Sequence, residues 1–284
     1  MQQKGIHWFP GHMKKAMREI EEKIKLIDVI IEVIDSRVPR SSKNRYLEQI
    51  TKGKKRILVM SKKDLSDPNI VSKWEDKYKE EGYYPVVCDL NNKNDINLIL
   101  KAIDVAGEER KQKYLKKGMK PQPLRLMIIG IPNVGKSTLI NRLSKRSSAS
   151  IANTPGHTRA QQWIRTSSFE LLDTPGILPP SYENSTEALK LALIGAMKLE
   201  NLSSSDLASK LLNYLIKNHR EALKNKYDLS DEIIENKEEV FEGIARRRGL
   251  LLGEGKLDID RAEILLLKEF KEGLIVKVVL DEIC

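Results

Sequence analysis

The sequence predicts an α/β protein in which a mostly parallel sheet is flanked by helices and followed by a small helical C-terminal domain. Three observations carry that reading. Short β-branched runs ending in polar loops recur through the first 180 residues, and stretches of helical apolar spacing separate them. Beyond Pro179–Pro180 the apolar runs give out and helical spacing takes over. The 284 residues suffice for one large domain or two modest ones, each with its own core. The expected boundaries are 1–179 and 180–284.

The elements follow in order. After the turn at Pro10–Gly11, apolar side chains at Met13, Met17, Ile20, Ile24 and Ile27 mark one face of an amphipathic helix. DVIIEVIDSR (28–37) reads as a buried strand. RILVMSKKD (56–64), YYPVVCD (83–89) and LRLMIIGIPNVGKS (124–137) repeat its form, an apolar run and then a polar loop. WIRTSSFELLDTPG (163–176) reads as two strands, the second ending at Asp173. Helical patterns fill 70–81, 94–103 and 137–144, and the basic, Pro-terminated stretch 105–123 reads as a connector. Further on, helices are expected at 186–200, 204–219, 231–247 and 260–270, closed by a short strand at 274–280. There is no internal repeat and no low-complexity tract.

Composition excludes several classes. With 40% hydrophobic and 32% charged residues the chain reads as soluble, and no apolar run is long enough to span a membrane. The opening MQQKGIHWFPGHMKK lacks the apolar core of a secretory signal. Cys88 and Cys284 are the two cysteines, so the expected compartment is the reducing cytoplasm rather than one that supports a disulfide framework. No His/Cys spacing suits zinc. The net charge of +10 is uneven: residues 1–60 and 61–180 each carry +7, and 181–284 carry −4. A basic field over the first two-thirds suits a polyanionic partner; Lys52–Arg56 and Arg110–Lys120 are its clusters, and Arg246–Arg248 is a local basic patch on the net-negative remainder.

The strongest motif is Gly130-Ile-Pro-Asn-Val-Gly135-Lys136-Ser137, a full match to G-x-x-x-x-G-K-[ST] between an apolar strand and an apolar-periodic helix. Its glycines let main-chain N–H groups from Asn133, Val134 and Gly135 through Thr138 wrap a polyphosphate at a helix N-terminus. Lys136 is expected on the β- and γ-phosphates and the Ser137 hydroxyl on Mg²⁺. Asp173-Thr-Pro-Gly176 begins 37 residues after Lys136. Asp173 at a strand end can hold Mg²⁺ through water, and the Gly176 N–H can sense the γ-phosphate. Thr158, within NTPGHTRAQQ, is placed to complete the Mg²⁺ shell, and Thr154 is the second choice. In SKKD (61–64), Asp64 can accept two hydrogen bonds from guanine, a donor pair that adenine lacks, and the Lys62 stem can lie along the base. A signalling GTPase places Gln directly after D-T-x-G to orient water; here that position is Ile177, so slow intrinsic turnover is expected.

The motif order is unusual. SKKD precedes GIPNVGKS and DTPG, whereas in ordinary GTPases the base motif comes last, and this resembles the circularly permuted GTPases. HWFPGHMKKA, DSRVPRSS, NVGKSTLINRL, TRAQQWI and LLDTPGIL, taken together, resemble the bacterial ribosome biogenesis GTPase A family over the whole chain. The resemblance implies a permuted P-loop GTPase fold, GTP and GDP as ligands, and a precursor of the large ribosomal subunit as partner. It further implies hydrolysis late in that particle's maturation, stimulated by it, by a monomer that needs no membrane. It gives His12 of FPGHM a catalytic role, with a group from ribosomal RNA or protein as the other candidate to orient the attacking water, and K⁺ beside the phosphates to Asn133. It makes ribosomal RNA the polyanion that the basic clusters contact. Ser61 departs from the family's Asn or Thr but keeps one hydroxyl for hydrogen bonding. The loop CDLNN matches the family's base-backing loop poorly, and offers Asp89 and Leu90 as base contacts. Two other readings account for the P-loop: a nucleotide-gated RNA-binding scaffold in which hydrolysis is incidental, and a kinase, which leaves SKKD unexplained.

Overall fold

The computed structural model describes residues 6–7, 11–146, 163–166, 168–179, 181–182, 185–199 and 202–283. They divide into two compact units, Met1–Glu187 with Val279–Cys284, and Ala188–Val278.

The first unit opens with β1 (Ile6–His7) and α1 (Gly11–Lys23), followed by β2 (Val29–Asp35) and the short α2 (Arg45–Ile50). Next come β3 (Lys55–Ser61), α3 (Pro68–Glu80), β4 (Tyr84–Val87) and α4 (Lys93–Lys116). Then follow β5 (Leu124–Ile129), α5 (Lys136–Arg146), β6 (Trp163–Arg165), β7 (Phe169–Asp173) and β8 (Ser181–Tyr182). The main sheet has six strands in the order β4-β3-β2-β5-β7-β6, and β6 alone runs antiparallel. β1 and β8 pair separately, antiparallel.

β2 is buried at every position from Val29 to Asp35, as a central parallel strand covered on both faces must be. Local chemistry starts the helices. Asp67 caps α3 through the Asn69 N–H at 2.9 Å, with Pro68 at the first helical position. That helix lays Val71, Trp74 and Tyr78 onto Ile34, Leu58 and Met60. Asn44 caps α2 by accepting from Tyr46 and Leu47 N–H groups at 3.1 and 3.2 Å.

The second unit continues from α6 (Ser185–Leu193) into α7 (Ser204–Asn218), α8 (Arg220–Tyr227), α9 (Asp231–Glu235), α10 (Lys237–Arg248) and α11 (Ile259–Lys271). Ser203 and Asp206 form a capping box on α7, each side chain bonding the other's main chain. The core gathers Leu211, Leu215, Leu223, Tyr227, Ile244, Leu266 and Phe270, all at most 2% exposed.

Several expectations need correction. The connector at 105–123 is helical as far as Lys116. Glu109–Lys113 and Glu108–Gln112 contacts at helical spacing support it. Gly107 sits inside this helix because a Cβ there would lie 2.3 Å from Leu124 Cδ1. The helix expected at 231–247 breaks at the extended Asn236. The helix expected at 186–200 stops at Leu193, with Gly195 at φ +78. No strand forms at 274–280; that segment bends at 274–275 and then runs on without regular secondary structure. The short α2 and α8 have too few turns for periodicity to reveal. No helix among the described residues is long and apolar enough to cross a membrane.

Candidate functional site

In a parallel sheet, ligand-binding loops collect at the carboxyl ends of the strands. Here four strands of the sheet, β4, β3 and β2 side by side and β7 beyond β5, each end in or just before an aspartate: Asp35 closes β2, Asp173 closes β7, Asp64 follows β3 and Asp89 follows β4. The P-loop leaves the same edge from β5.

The P-loop conformation demands its residue types. Gly130 turns at φ +151, and a Cβ there would lie 2.4 Å from the Val33 carbonyl oxygen of the neighbouring strand. Asn133 is left-handed at φ 61, and Gly135 turns at φ +102 against the Leu90 side chain. Lys136 then opens α5, with Ser137 and Thr138 exposed in its first turn. The Lys136 ammonium is buried and donates to the Ile131 carbonyl at 2.7 Å. Burial pushes its pKa down to about 8, against the opposing pull of the Asp173 carboxylate.

DTPG lies against this loop. The Thr174 hydroxyl is buried and donates to the Ile128 carbonyl, which makes it a brace between β7 and β5. A Cβ at Gly176 would lie 2.9 Å from both Lys136 Nζ and the Pro132 backbone, so the Gly176 main chain closes directly over the ammonium. Ile177 is fully buried; its N–H donates to the Gly130 carbonyl at 3.2 Å and its carbonyl accepts from Asn44 Nδ2 at 2.9 Å. The residue at the water-orienting position is therefore apolar, inward-facing and tied at both ends.

SKKD is held by its first two residues and presents its last. Ser61 Oγ is buried 2.7 Å from the Val134 carbonyl and 2.9 Å from that of Ile34, and its one proton serves one of them at a time. Lys62, left-handed at φ 59, donates to the Asn133 carbonyl at 2.8 Å and pairs with Asp35 at 3.0 Å. Asp64 is exposed. The Lys63 N–H donates to the Cys88 carbonyl at 3.3 Å, bringing the CDLNN loop alongside. There Asp89 takes the Asn91 N–H at 2.8 Å, and Leu90 is buried against Gly135. Ser61, Lys62, Asp64, Asp89, Leu90, Val134 and Lys136 thus come together at one edge, with Asn133, Gly135, Ser137, Thr138, Asp173 and Gly176.

The remaining expectations fall elsewhere. Thr158 and Thr154 lie outside the described residues, and His12 is described only as main chain in the first turn of α1. Ser137 and Asp173 offer a hydroxyl and a carboxylate, the hard oxygen donors that suit Mg²⁺ when phosphates complete the shell. Among the described residues no cluster of His, Cys, Asp and Glu could hold a metal alone. Of the basic clusters, Lys111, Lys113, Lys116, Lys117 and Lys120 are exposed at the end of α4 and beyond it. Arg56 and Lys54 turn inward, to Glu32 and to the Ile27 carbonyl. Arg248 pairs with Glu269 at 2.9 Å, and Arg246 and Arg247 stay exposed.

Sequence reading gave no role to Asp35, which is fully buried. Arg37 holds it with Nη2–Oδ2 at 2.8 Å and Nε–Oδ1 at 3.0 Å. Burial would raise its pKa, but Arg37 and Lys62 outweigh that and hold it down at about 2. The available signal was an acid at the end of a mostly apolar strand, the same arrangement that drew attention to Asp173.

A family described as 50S ribosome-binding GTPase matches residues 125–245, which begins at the P-loop strand and leaves the base motif outside, on its N-terminal side. Ribosome biogenesis GTPase A of Priestia megaterium is 43% identical over 268 residues, 94% of this chain and 93% of its own. A GDP-bound structure of YlqF aligns at 26% identity with a TM-score of 0.63, covering 93% of this chain and 99% of that one. GNP-bound YlqF from T. maritima aligns at 25% identity with a TM-score of 0.61, covering 94% and 98%.

Proposed function

The chain belongs to the ribosome biogenesis GTPase A family, and on that premise we propose that it binds and hydrolyses GTP on a precursor of the large ribosomal subunit, late in its maturation. The observation that supports this most is the convergence of three separated motifs, SKKD, GIPNVGKS and DTPG, on one sheet edge in permuted order.

The phosphates take the main-chain N–H groups of the P-loop, from Asn133 through Thr138, and Lys136 exchanges the Ile131 carbonyl for them. That exchange restores full charge to an ammonium whose pKa burial has lowered. Gly176, packed over Lys136, offers its N–H to the γ-phosphate. Asp64 reads the guanine edge, with Asp89 and Leu90 backing the base, while Ser61 and Lys62 secure the loop beneath. Ser137, Asp173 and Thr158 are the residues to hold Mg²⁺, which neutralises charge on the β- and γ-phosphate oxygens. Asn133 is the residue to hold K⁺ beside them. Ile177 cannot orient water, so turnover is slow in isolation and His12 takes that task when the particle folds the N-terminal segment over the nucleotide. The exposed lysines at 111–120 and Arg246–Arg247 contact ribosomal RNA.

Single-turnover hydrolysis of GTP and ATP, in KCl and in NaCl, with and without purified large subunits, tests the proposal. GTP-selective turnover raised at least ~10-fold by the particle is the expected result, and a K⁺ requirement supports Asn133. Binding to subunits at an unchanged rate favours the second reading, a nucleotide-gated RNA-binding scaffold, which the buried Ile177 suits.

A further inference from the structure

Residues 279–283 follow the helical unit in sequence but belong to the first unit. They grip the loop after β2 at two points. The Leu280 N–H donates to the Arg37 carbonyl at 2.7 Å. The Asp281 carboxylate, 2% exposed, accepts from the Ser41 N–H at 2.8 Å and from the Ser41 hydroxyl at 2.6 Å. Val279 packs beside them on the cluster of Ile34, Leu58, Met60 and Trp74.

The gripped loop, 36–44, is irregular, so no helix or strand ladder of its own sets its position. Yet it meets all three nucleotide motifs. At one end, the Ser36 N–H donates to the Ser61 carbonyl at 2.9 Å. Next to it, Arg37 clamps Asp35, Asp35 pairs with Lys62, and Lys62 donates to the P-loop carbonyl of Asn133. At the other end, Asn44 holds the Ile177 carbonyl just past DTPG. Between those ends, Ser42 accepts the Asp35 N–H at 3.0 Å and donates to the Val38 carbonyl at 2.6 Å. A carboxylate 240 positions away in sequence is thus bonded to the middle of the span that ties base motif, P-loop and DTPG together.

We propose that Asp281 is a positioning residue for the nucleotide site, fixing the 36–44 loop so that Lys62 stays on the P-loop and Ile177 stays behind the DTPG turn. The proposal rests on the GTP-binding reading above. Its physical basis is a set of hydrogen bonds, those of Asp281, Asp35 and Lys62 charge-assisted, joined to one another through the main chain of the 36–44 loop. Without the carboxylate the Ser41 N–H is buried with no acceptor, and the loop loses its central restraint. The pinned groups shape the site before hydrolysis, so the effect falls on ground-state binding of GTP and GDP alike rather than on the chemical step.

The test uses the full chain and fluorescent GDP and GTP, with turnover at saturating GTP measured beside affinity. Asp281→Ala is expected to weaken both nucleotides about tenfold while saturated turnover stays within about twofold. Asp281→Asn keeps one acceptor for the Ser41 N–H and an amide donor for its hydroxyl, and is expected to recover most of the affinity. Leu212→Ala, a cavity in the helical unit, serves as a control for lost stability and is expected to leave affinity unchanged. Should Asp281→Ala fail to fold, Ser41→Ala, which removes one of the two bonds, decides with an expected loss of about threefold. Wild-type affinity in folded Asp281→Ala, or in Ser41→Ala where that variant decides, overturns the proposal, as does an equal affinity loss in Leu212→Ala. Failure of the wild-type chain to bind GTP overturns the underlying reading instead, and is seen before any variant is measured.

Discussion

At the phosphate end of the site, the groups that face a ligand are main-chain amides and one buried ammonium. At the base end they are an exposed carboxylate, Asp64, and a half-buried loop around Asp89. The phosphate end is closely packed: a Cβ at Gly130 would meet the Val33 carbonyl, one at Gly176 would meet Pro132, and Lys136 is tied to Ile131. The base end borrows its order through Ser61 and Lys62, both of which bond P-loop carbonyls. On the proposed function, the difference teaches that affinity and selectivity are seated apart: phosphate binding would depend on backbone geometry that few side chains can spoil, and base choice on one carboxylate held by its neighbours.

Substitutions at the two ends can break that separation. The largest effect is expected from Lys136→Ala. Removing a buried charge partner of the phosphates costs about 2–5 kcal/mol, and a titration with GTP and GDP should show both bound far more weakly. Asp64→Ala comes next. Loss of hydrogen bonds to a charged acceptor, about 1.5–3 kcal/mol, should lower the preference for GTP over ATP while leaving ATP binding unchanged in competition assays. An equal loss of ATP binding would show that the two ends are not separable. Gly176→Ala places a methyl against Pro132 and the Lys136 ammonium, and overpacking of about 1–3 kcal/mol should weaken GTP more than GDP if, as proposed, the Gly176 N–H serves the γ-phosphate.

The smallest effects are expected from pH. In the unliganded protein the Lys136 pKa is about 8, below its ordinary value of 10.5. The charged form binds phosphate, so affinity should be flat below about pH 8 and fall above it as protein titrates to the neutral amine. Calorimetry should show proton uptake on GTP binding in that range. Asp35 has the opposite sense. Its folded pKa of about 2 lies below the ordinary 3.8, so it stabilises the fold above about pH 4 and that share, about 2 kcal/mol, is lost as pH falls towards 2. Urea unfolding across that window measures it, and Asp35→Asn should flatten the dependence.

Much of this was legible in the residues. The apolar strands, the P-loop and DTPG are local patterns: a strand needs consecutive β-branched side chains, and phosphate wrapping needs glycines at set spacing. Charge composition misled at 105–123, where a basic stretch reads as linker although Glu–Lys and Glu–Gln spacing supports a helix. Ser61 departs from the family's residue, yet its hydroxyl makes a bond that the substitution leaves available, to a main-chain carbonyl.

By itself the sequence determined the chain order of the motifs, the phosphate-loop pattern and the acid proposed to read the base, because each depends on residues adjacent along the chain. Only the tertiary structure decided what Asp35, Asn44 and Asp281 do. Their roles are contacts across 27, 133 and 240 positions, to Lys62, Ile177 and Ser41 respectively. A buried polar group must find a partner wherever the fold supplies one, and no spacing along the chain records which partner that is.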